Sequence, residues 1–142
     1  MTDSIIIGCD HAAYEMKDKI VKHLETKGIS VDDIGAFSEE SVNYPDYAEK
    51  VSKAILNGGK KRGILLCGTG LGMSMSANRH KGIRAALCND IFSAKMSRLH
   101  NDSNVLVLGA RVIGDILALE IVNTWLETEF EGGRHKIRLD LF

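Results

Sequence analysis

Residues 63–74 read Gly63-Ile64-Leu65-Leu66-Cys67-Gly68-Thr69-Gly70-Leu71-Gly72-Met73-Ser74. An apolar run of strand character ends in a thiol. Three glycines spaced two apart follow, and a helix is predicted over 73–78. Strand, glycine turn and helix form the first half of a βαβ unit, the building block of parallel sheets. Backbone N–H groups and the positive end of a helix both favour negative charge at such a turn. A thiolate, a phosphate or an enolate-like oxyanion would each suit it.

The same alternation extends outward in both directions. Short β-branched runs at 4–9, 29–34, 83–88 and 105–108 predict four further strands. Longer amphipathic runs predict helices at 13–27, 44–56, 91–99 and 113–127. Met16, Ile20 and Leu24 fall on one stripe of the first helix, and Glu15 and Lys19 form an i,i+4 pair on another face. Leu117, Ile121 and Trp125 form the buried stripe of the last. Pro45 suits a first helical turn, and Gly28 a helix end. The expected architecture is α/β: a three-layer sandwich around a five-stranded parallel sheet, in a single domain spanning 1–142.

Open sheets of this kind bind ligands beyond the carboxyl ends of their strands. Cys9-Asp10-His11, Cys67-Gly68-Thr69, Cys88-Asn89-Asp90 and Gly109-Ala110-Arg111 lie at those ends. Each residue also has a plainer reading. A free Cys at a strand end is most often a small buried hydrophobe, but the glycines after Cys67 allow close approach to the backbone and shift the balance toward a base or nucleophile. Asp10 is either a helix N-cap or a ligand to a sugar oxygen. His11 is either solvated or a phosphate ligand. His100-Asn101-Asp102 is either a helix end or an acid/base site. Arg134-His135-Lys136-Ile137-Arg138 is either a solvated face or, if helical, a phosphate clamp with Arg134 and Arg138 one turn apart. Arg111 is a third cationic candidate. His23, His80 and His135 read as surface residues.

Several sites fail on spacing. G-x-G-x-G is not the dinucleotide fingerprint, and no Gly-Lys-Ser/Thr follows it. A cysteine phosphatase needs an Arg about where Met73 stands. Zinc finds neither C-x-x-C nor H-x-x-x-H, and Cys9 and His11 would need distant help.

Bulk properties agree with a compact enzyme or binding domain. The chain has 142 residues, 44% hydrophobic and 26% charged, with a net charge of −1. Nothing in that balance favours nucleic acid or a membrane surface. No apolar run approaches membrane-spanning length, and the polar start at residues 1–4 is unlike a signal peptide. Three unpaired cysteines suit a reducing compartment. The expected location is cytoplasmic.

The ordered motifs Gly8-Cys9-Asp10-His11-Ala12, Asn43-Tyr44-Pro45-Asp46-Tyr47, Cys67-Gly68-Thr69-Gly70-Leu71-Gly72, Gly82-Ile83-Arg84-Ala85, His100-Asn101-Asp102-Ser103-Asn104-Val105, Leu108-Gly109-Ala110-Arg111-Val112 and Glu129-Phe130-Glu131-Gly132-Gly133-Arg134-His135 cover nearly the whole chain. In them the chain resembles the sugar-phosphate isomerase family that contains type B ribose-5-phosphate isomerases and galactose-6-phosphate isomerase subunits. The resemblance implies a Rossmann-like fold and interconversion of ribose 5-phosphate with ribulose 5-phosphate. It implies no metal and no organic cofactor. It further implies a homodimer, in some members a tetramer, with each active site completed by the neighbouring subunit. The tail at about 128–142 would contribute to that site and interface.

On this resemblance Cys67 is the base, and Thr69 and His100 open the sugar ring. Some members carry Glu at the position of Met73, so this chain falls in the Cys branch. Asp10, Asn101 and the backbone of Gly68, Gly70, Leu71 and Gly72 would hold the sugar and the enediolate. His11, Arg111, Arg134 and Arg138 would take the phosphate and neighbouring oxygens, and Tyr44 would form a wall. The alternatives left open are a hexose 6-phosphate isomerase (allose or galactose 6-phosphate), a non-catalytic sugar-phosphate-binding protein and, more weakly, a nucleotide-binding module.

Overall fold

Residues 4–142 are described by a computed structural model; residues 1–3, most of the polar start, lie outside the described residues. Five strands, β1 (Ser4–Cys9), β2 (Ser30–Asp33), β3 (Arg62–Cys67), β4 (Ala85–Leu87) and β5 (Val105–Gly109), form one sheet in the order β2-β1-β3-β5-β4. Every pairing is parallel. Parallel neighbours require crossover connections, and the helices supply them. These are α1 (Tyr14–Thr26), α2 (Tyr44–Leu56), α3 (Leu71–Ala77), α4 (Ile91–Leu99) and α5 (Asp115–Glu127), with α6 (Arg134–Leu139) closing the chain.

Alternate strand residues serve opposite faces, as the two-residue period demands. Ile5, Ile7, Ile64, Leu66, Leu106 and Leu108 pack with Met16, Ile20 and Leu24 of α1, Ala94 of α4 and Ile121, Val122 and Trp125 of α5. Ile6, Leu65, Cys67, Val105 and Val107 pack with Ala48 and Val51 of α2 and Met73 and Ala77 of α3. The central strands are covered on both sides, which explains their continuous apolar runs. This is the expected Rossmann-like three-layer sandwich. No described helix is long and apolar enough to cross a membrane.

The differences from the sequence reading are local. Helix α3 begins at Leu71, directly after Gly70, rather than at Met73. Strand β4 is three residues long, shorter than the 83–88 run, because the Arg84 N–H is taken by the Asn104 side chain at 2.7 Å. Lys19 does not settle on Glu15; it reaches across to Asp115 of α5 and ties two helices together. Lys17 is fully buried. Its ammonium makes hydrogen bonds of 2.8 and 2.6 Å to Asp33 and lies 4.6 Å from the Phe37 ring centroid, which offsets the cost of burying a charge.

Candidate active site

The strand direction sorts the candidate residues into two groups. At the carboxyl ends of the strands, β3 runs into Cys67, which is 5% exposed. The Gly70 N–H donates to Cys67 Sγ at 3.2 Å. The turn that allows it is left-handed, with Gly70 at φ +81°. A Cβ there would lie 2.4 Å from Leu87 Cδ1 and 3.3 Å from the Leu108 carbonyl. At Gly72 a Cβ would meet the Tyr44 ring at 2.6 Å. Gly70 is therefore required by its left-handed backbone and close contacts within the protein, and the space beside Gly72 is filled by the Tyr44 ring, where the sequence suggested room for a ligand. Thr69 is exposed, and its hydroxyl accepts from the Leu71 N–H at 3.2 Å.

The same edge carries Asp10, His11, Tyr44 and Arg111. Asp10 Oδ1 accepts from the Ala12 N–H at 3.0 Å, so the capping role is real; it starts a short 3-10 turn at His11–Ala13 ahead of α1. His11 Nδ1 accepts from the Val42 N–H at 3.2 Å, which fixes Nε2 as the protonated nitrogen of the neutral ring. The Arg111 N–H donates to the Gly68 carbonyl at 2.9 Å, and the Arg111 guanidinium lies beside Gly68. Cys9 and Cys88 also end strands, but both are buried, and burial pushes their thiols up to about 12 and about 11 respectively. Neither is a base at neutral pH.

His100 and Asn101 occupy the opposite edge. They close α4 and precede β5, so they lie at the amino ends of the strands. From Val105 to Gly109 the strand rises ~13 Å, and His100 lies beyond its start. The turn after Asn101 is tightly built. Asp102 adopts a left-handed φ of 46° and takes Arg98 Nη1 at 2.9 Å and Arg84 Nη2 at 3.5 Å. Ser103 Oγ accepts from Trp125 Nε1 at 2.8 Å and shares a hydrogen bond with Ser97 at 2.9 Å.

The tail returns to this edge. The Glu131 N–H donates to the Leu99 carbonyl at 3.1 Å, and the basic cluster forms helix α6. Arg134 and Arg138 are exposed and lie one turn apart, as expected. Within one chain they are on the wrong edge to act with Arg111. The candidate residues therefore fall into two separate groups: Asp10, His11, Tyr44, Cys67, Thr69 and Arg111 at one end, and His100, Asn101, Arg134 and Arg138 at the other.

His135 corrects the sequence reading, which placed it on the surface. It is 5% exposed and stacks on His100 with ring centroids 4.2 Å apart and planes inclined by 17°. Burial, together with the neighbouring His100 and Arg134 charges, holds its imidazole below the usual histidine range. The missed signal is helical phase: His135 and Leu139 share the inward face, while Arg134, Lys136 and Arg138 are exposed around it. Of the other two histidines, neither is fully exposed; His23 Nε2 bonds Asn123 Oδ1 at 2.7 Å, and His80 lies against the Ala77 carbonyl at 3.3 Å.

The family model described as Ribose/Galactose Isomerase matches residues 5–142. Ribose-5-phosphate isomerase B of Escherichia coli (strain K12) is 48% identical over 136 residues, 96% of this chain and 91% of that protein. D-erythrulose-4-phosphate isomerase of Pectobacterium atrosepticum is 50% identical over 131 residues, 92% of this chain and 86% of that protein. The crystal structure of a ribose 5-phosphate isomerase from Thermotoga maritima matches with a TM-score of 0.97 at 54% identity, covering 99% of this chain and 97% of that one. With a parallel sheet, a thiol held by a glycine turn and full-length relatives of this kind, the chain belongs to the ribose/galactose isomerase family.

Proposed function

We propose that the protein interconverts D-ribose 5-phosphate and D-ribulose 5-phosphate at sites shared between two copies of the chain. The observation that carries this reading is the Gly70 N–H donated to Cys67 Sγ at 3.2 Å, at a strand end lined by Asp10, Thr69 and Arg111. The separation of the two halves supports the sharing. Groups that act on one sugar must lie within hydrogen-bond reach of it, and Cys67 and His100 of one chain lie at opposite ends of the sheet. A second copy can bring its His100 edge to the Cys67 edge of the first. Leu71 and Met75, exposed one turn apart on α3 beside the Cys67 turn, offer an apolar surface for that contact. A homodimer is the smallest assembly that completes the site; a tetramer would be a pair of such dimers.

The chemistry follows from the residue types. Arg134 and Arg138, with His11 and Arg111, hold the phosphate by charge-assisted hydrogen bonds. His100 and Thr69 move the anomeric hydroxyl proton toward the ring oxygen as the C1–O bond to that oxygen breaks, leaving an aldehyde at C1. Cys67 thiolate takes the proton from C2, and the C–H electron pair becomes the C1–C2 double bond of an enediolate. The charge on O1 is held by backbone N–H groups of the 68–72 turn, with Asp10 and Asn101 on the sugar hydroxyls. The Cys67 thiol then returns the proton to C1 as the O2 hydroxyl loses its proton and becomes the ketone oxygen, while O1 is protonated. No metal or organic cofactor takes part in these steps.

A coupled assay of ribose 5-phosphate isomerisation, on the wild type and on Cys67→Ala, tests the reading. Cys67→Ala should lose turnover while retaining sugar-phosphate binding by calorimetry. Near-normal turnover would remove Cys67 as the base, and binding without turnover in the wild type would favour a non-catalytic sugar-phosphate-binding protein. The relative that acts on erythrulose 4-phosphate supports a second reading, a four-carbon substrate. Comparing kcat/KM on tetrose, pentose and hexose 6-phosphates decides among them, since each carbon of wall contact discriminates by only about 10–200-fold.

A further inference from the structure

We infer that His100, Glu131 and His135 form a site for a divalent ion of the zinc class, and that the ion switches the enzyme off. One ligand atom from each residue lies within 4.8 Å of the others. His135 Nε2 is buried, has no hydrogen-bond partner and lies 3.9 Å from Glu131 Oε1. A buried ring nitrogen without a partner is unusual and points to a missing one. Two imidazoles and a carboxylate are the donor set of many zinc sites, with bond lengths of about 2.0–2.2 Å. Tetrahedral ligands at such lengths stand roughly 3.3–3.5 Å apart, so the three groups must close by about an ångström. Glu131 can supply much of that, because its side chain is half exposed, and the half-buried His100 ring supplies the rest by leaving its stack.

The neighbours set the selectivity. Arg134 and Arg138 flank His135 on α6 and oppose any cation. An ion that depends on charge and oxygen ligands, such as magnesium or calcium, gains little here. Zinc, nickel or copper, which bind imidazole strongly, can overcome that repulsion. The bound ion would hold the His100 ring lone pair and remove it from proton transfer. This consequence rests on the proposed ring-opening role of His100; the binding itself does not.

The test uses the full chain, dialysed free of metal. Zinc chloride is titrated calorimetrically into Cys67→Ala, which removes the competing thiolate, and cobalt chloride is followed by its visible absorption. One ion per chain is expected. Glu131→Gln and His135→Gln in the same background should each weaken binding at least tenfold. Glu131→Gln alters an exposed side chain, so it remains informative if His135→Gln does not fold. Unchanged affinity in Glu131→Gln, or loss of binding in Cys67→Ala, would overturn the proposal. In the otherwise wild-type enzyme, Glu131→Gln should keep metal-free turnover and raise the half-inhibitory zinc concentration at least tenfold; equal zinc sensitivity would also overturn it. Absence of ribose 5-phosphate turnover in the metal-free wild type would count against the isomerase reading alone, since calorimetry and cobalt absorption read binding without substrate.

Discussion

With sites shared between subunits as proposed, Cys67→Ala and His100→Asn each remove one essential group from every site, so each pure variant should be inactive. A mixed dimer differs. One of its two sites combines the intact Cys67 half of one chain with the intact His100 half of the other. The second site carries both lesions. Random exchange places about half of all dimers in the mixed state, and each mixed dimer has one working site of two, so about one quarter of wild-type activity per chain returns. The basis is the ~13 Å of strand between the two edges. The variants are mixed by joint refolding or co-expression, exchange is verified by native mass spectrometry, and turnover is read in the coupled assay. Cys67→Ala mixed with Thr69→Ala provides the control: both lesions lie on the same edge, so no intact site forms and no activity returns. If exchange occurs and the first mixture remains inactive, or if the control regains a similar rate, the two-edge reasoning fails.

Gly70→Ala places a methyl group 2.4 Å from Leu87 Cδ1 in a backbone at φ +81°. A loss of about 2–4 kcal/mol in urea unfolding is expected, with turnover falling further because the Cys67 hydrogen bond moves. A neutral effect on both would refute the packing argument. Asp33→Ala strips the fully buried Lys17 of its 2.6 and 2.8 Å partner. With Asp18 still 3.3 Å away, the expected cost is about 3 kcal/mol, at the low end for a broken buried pair; less than about 1 kcal/mol would contradict the assigned partnership. Iodoacetamide at pH 8 should modify Cys67 well ahead of Cys9 and Cys88, mapped by peptide mass; equal labelling of Cys9 would refute the contrast. Because the folded chain holds Cys9 near 12 and Cys88 near 11, above their ordinary 9.0, the unfolded chain releases these protons first as pH rises. Stability should therefore decline from about pH 9 upward, and Cys88→Ala should make that decline shallower in urea melts.

The fold was legible in the sequence because each central strand is a run of β-branched and Leu residues too apolar to be exposed, and each helix carries a clear stripe. Cys67 and its turn stood out for a similar reason: a Cys followed by alternating glycines has few purely structural explanations. Arg111 and the Arg134/Arg138 pair looked like one clamp because charge in a sequence carries no direction. The parallel sheet supplies that direction and places them at opposite ends. His135 was obscured by the cations around it, since composition masks the inward face of a helix only two turns long. The Asp102 clamp and the Ser97–Ser103–Trp125 contacts join residues whose pairing no local spacing announces.

Asn78, just past α3, donates from its side-chain amide to the Ala85 carbonyl at 2.9 Å and accepts from the Ala85 N–H at 2.8 Å. It thus occupies the outward-facing backbone groups of Ala85 on β4, an edge strand of the sheet. On a strand only three residues long, occupying the Ala85 groups leaves little backbone for a strand from another molecule to pair with. Partners meeting this margin are directed to side-chain surfaces, where geometry is specified residue by residue instead of by a repeating backbone ladder. For a chain proposed to complete its site with a second copy, blocking the generic mode of self-association would protect the specific one.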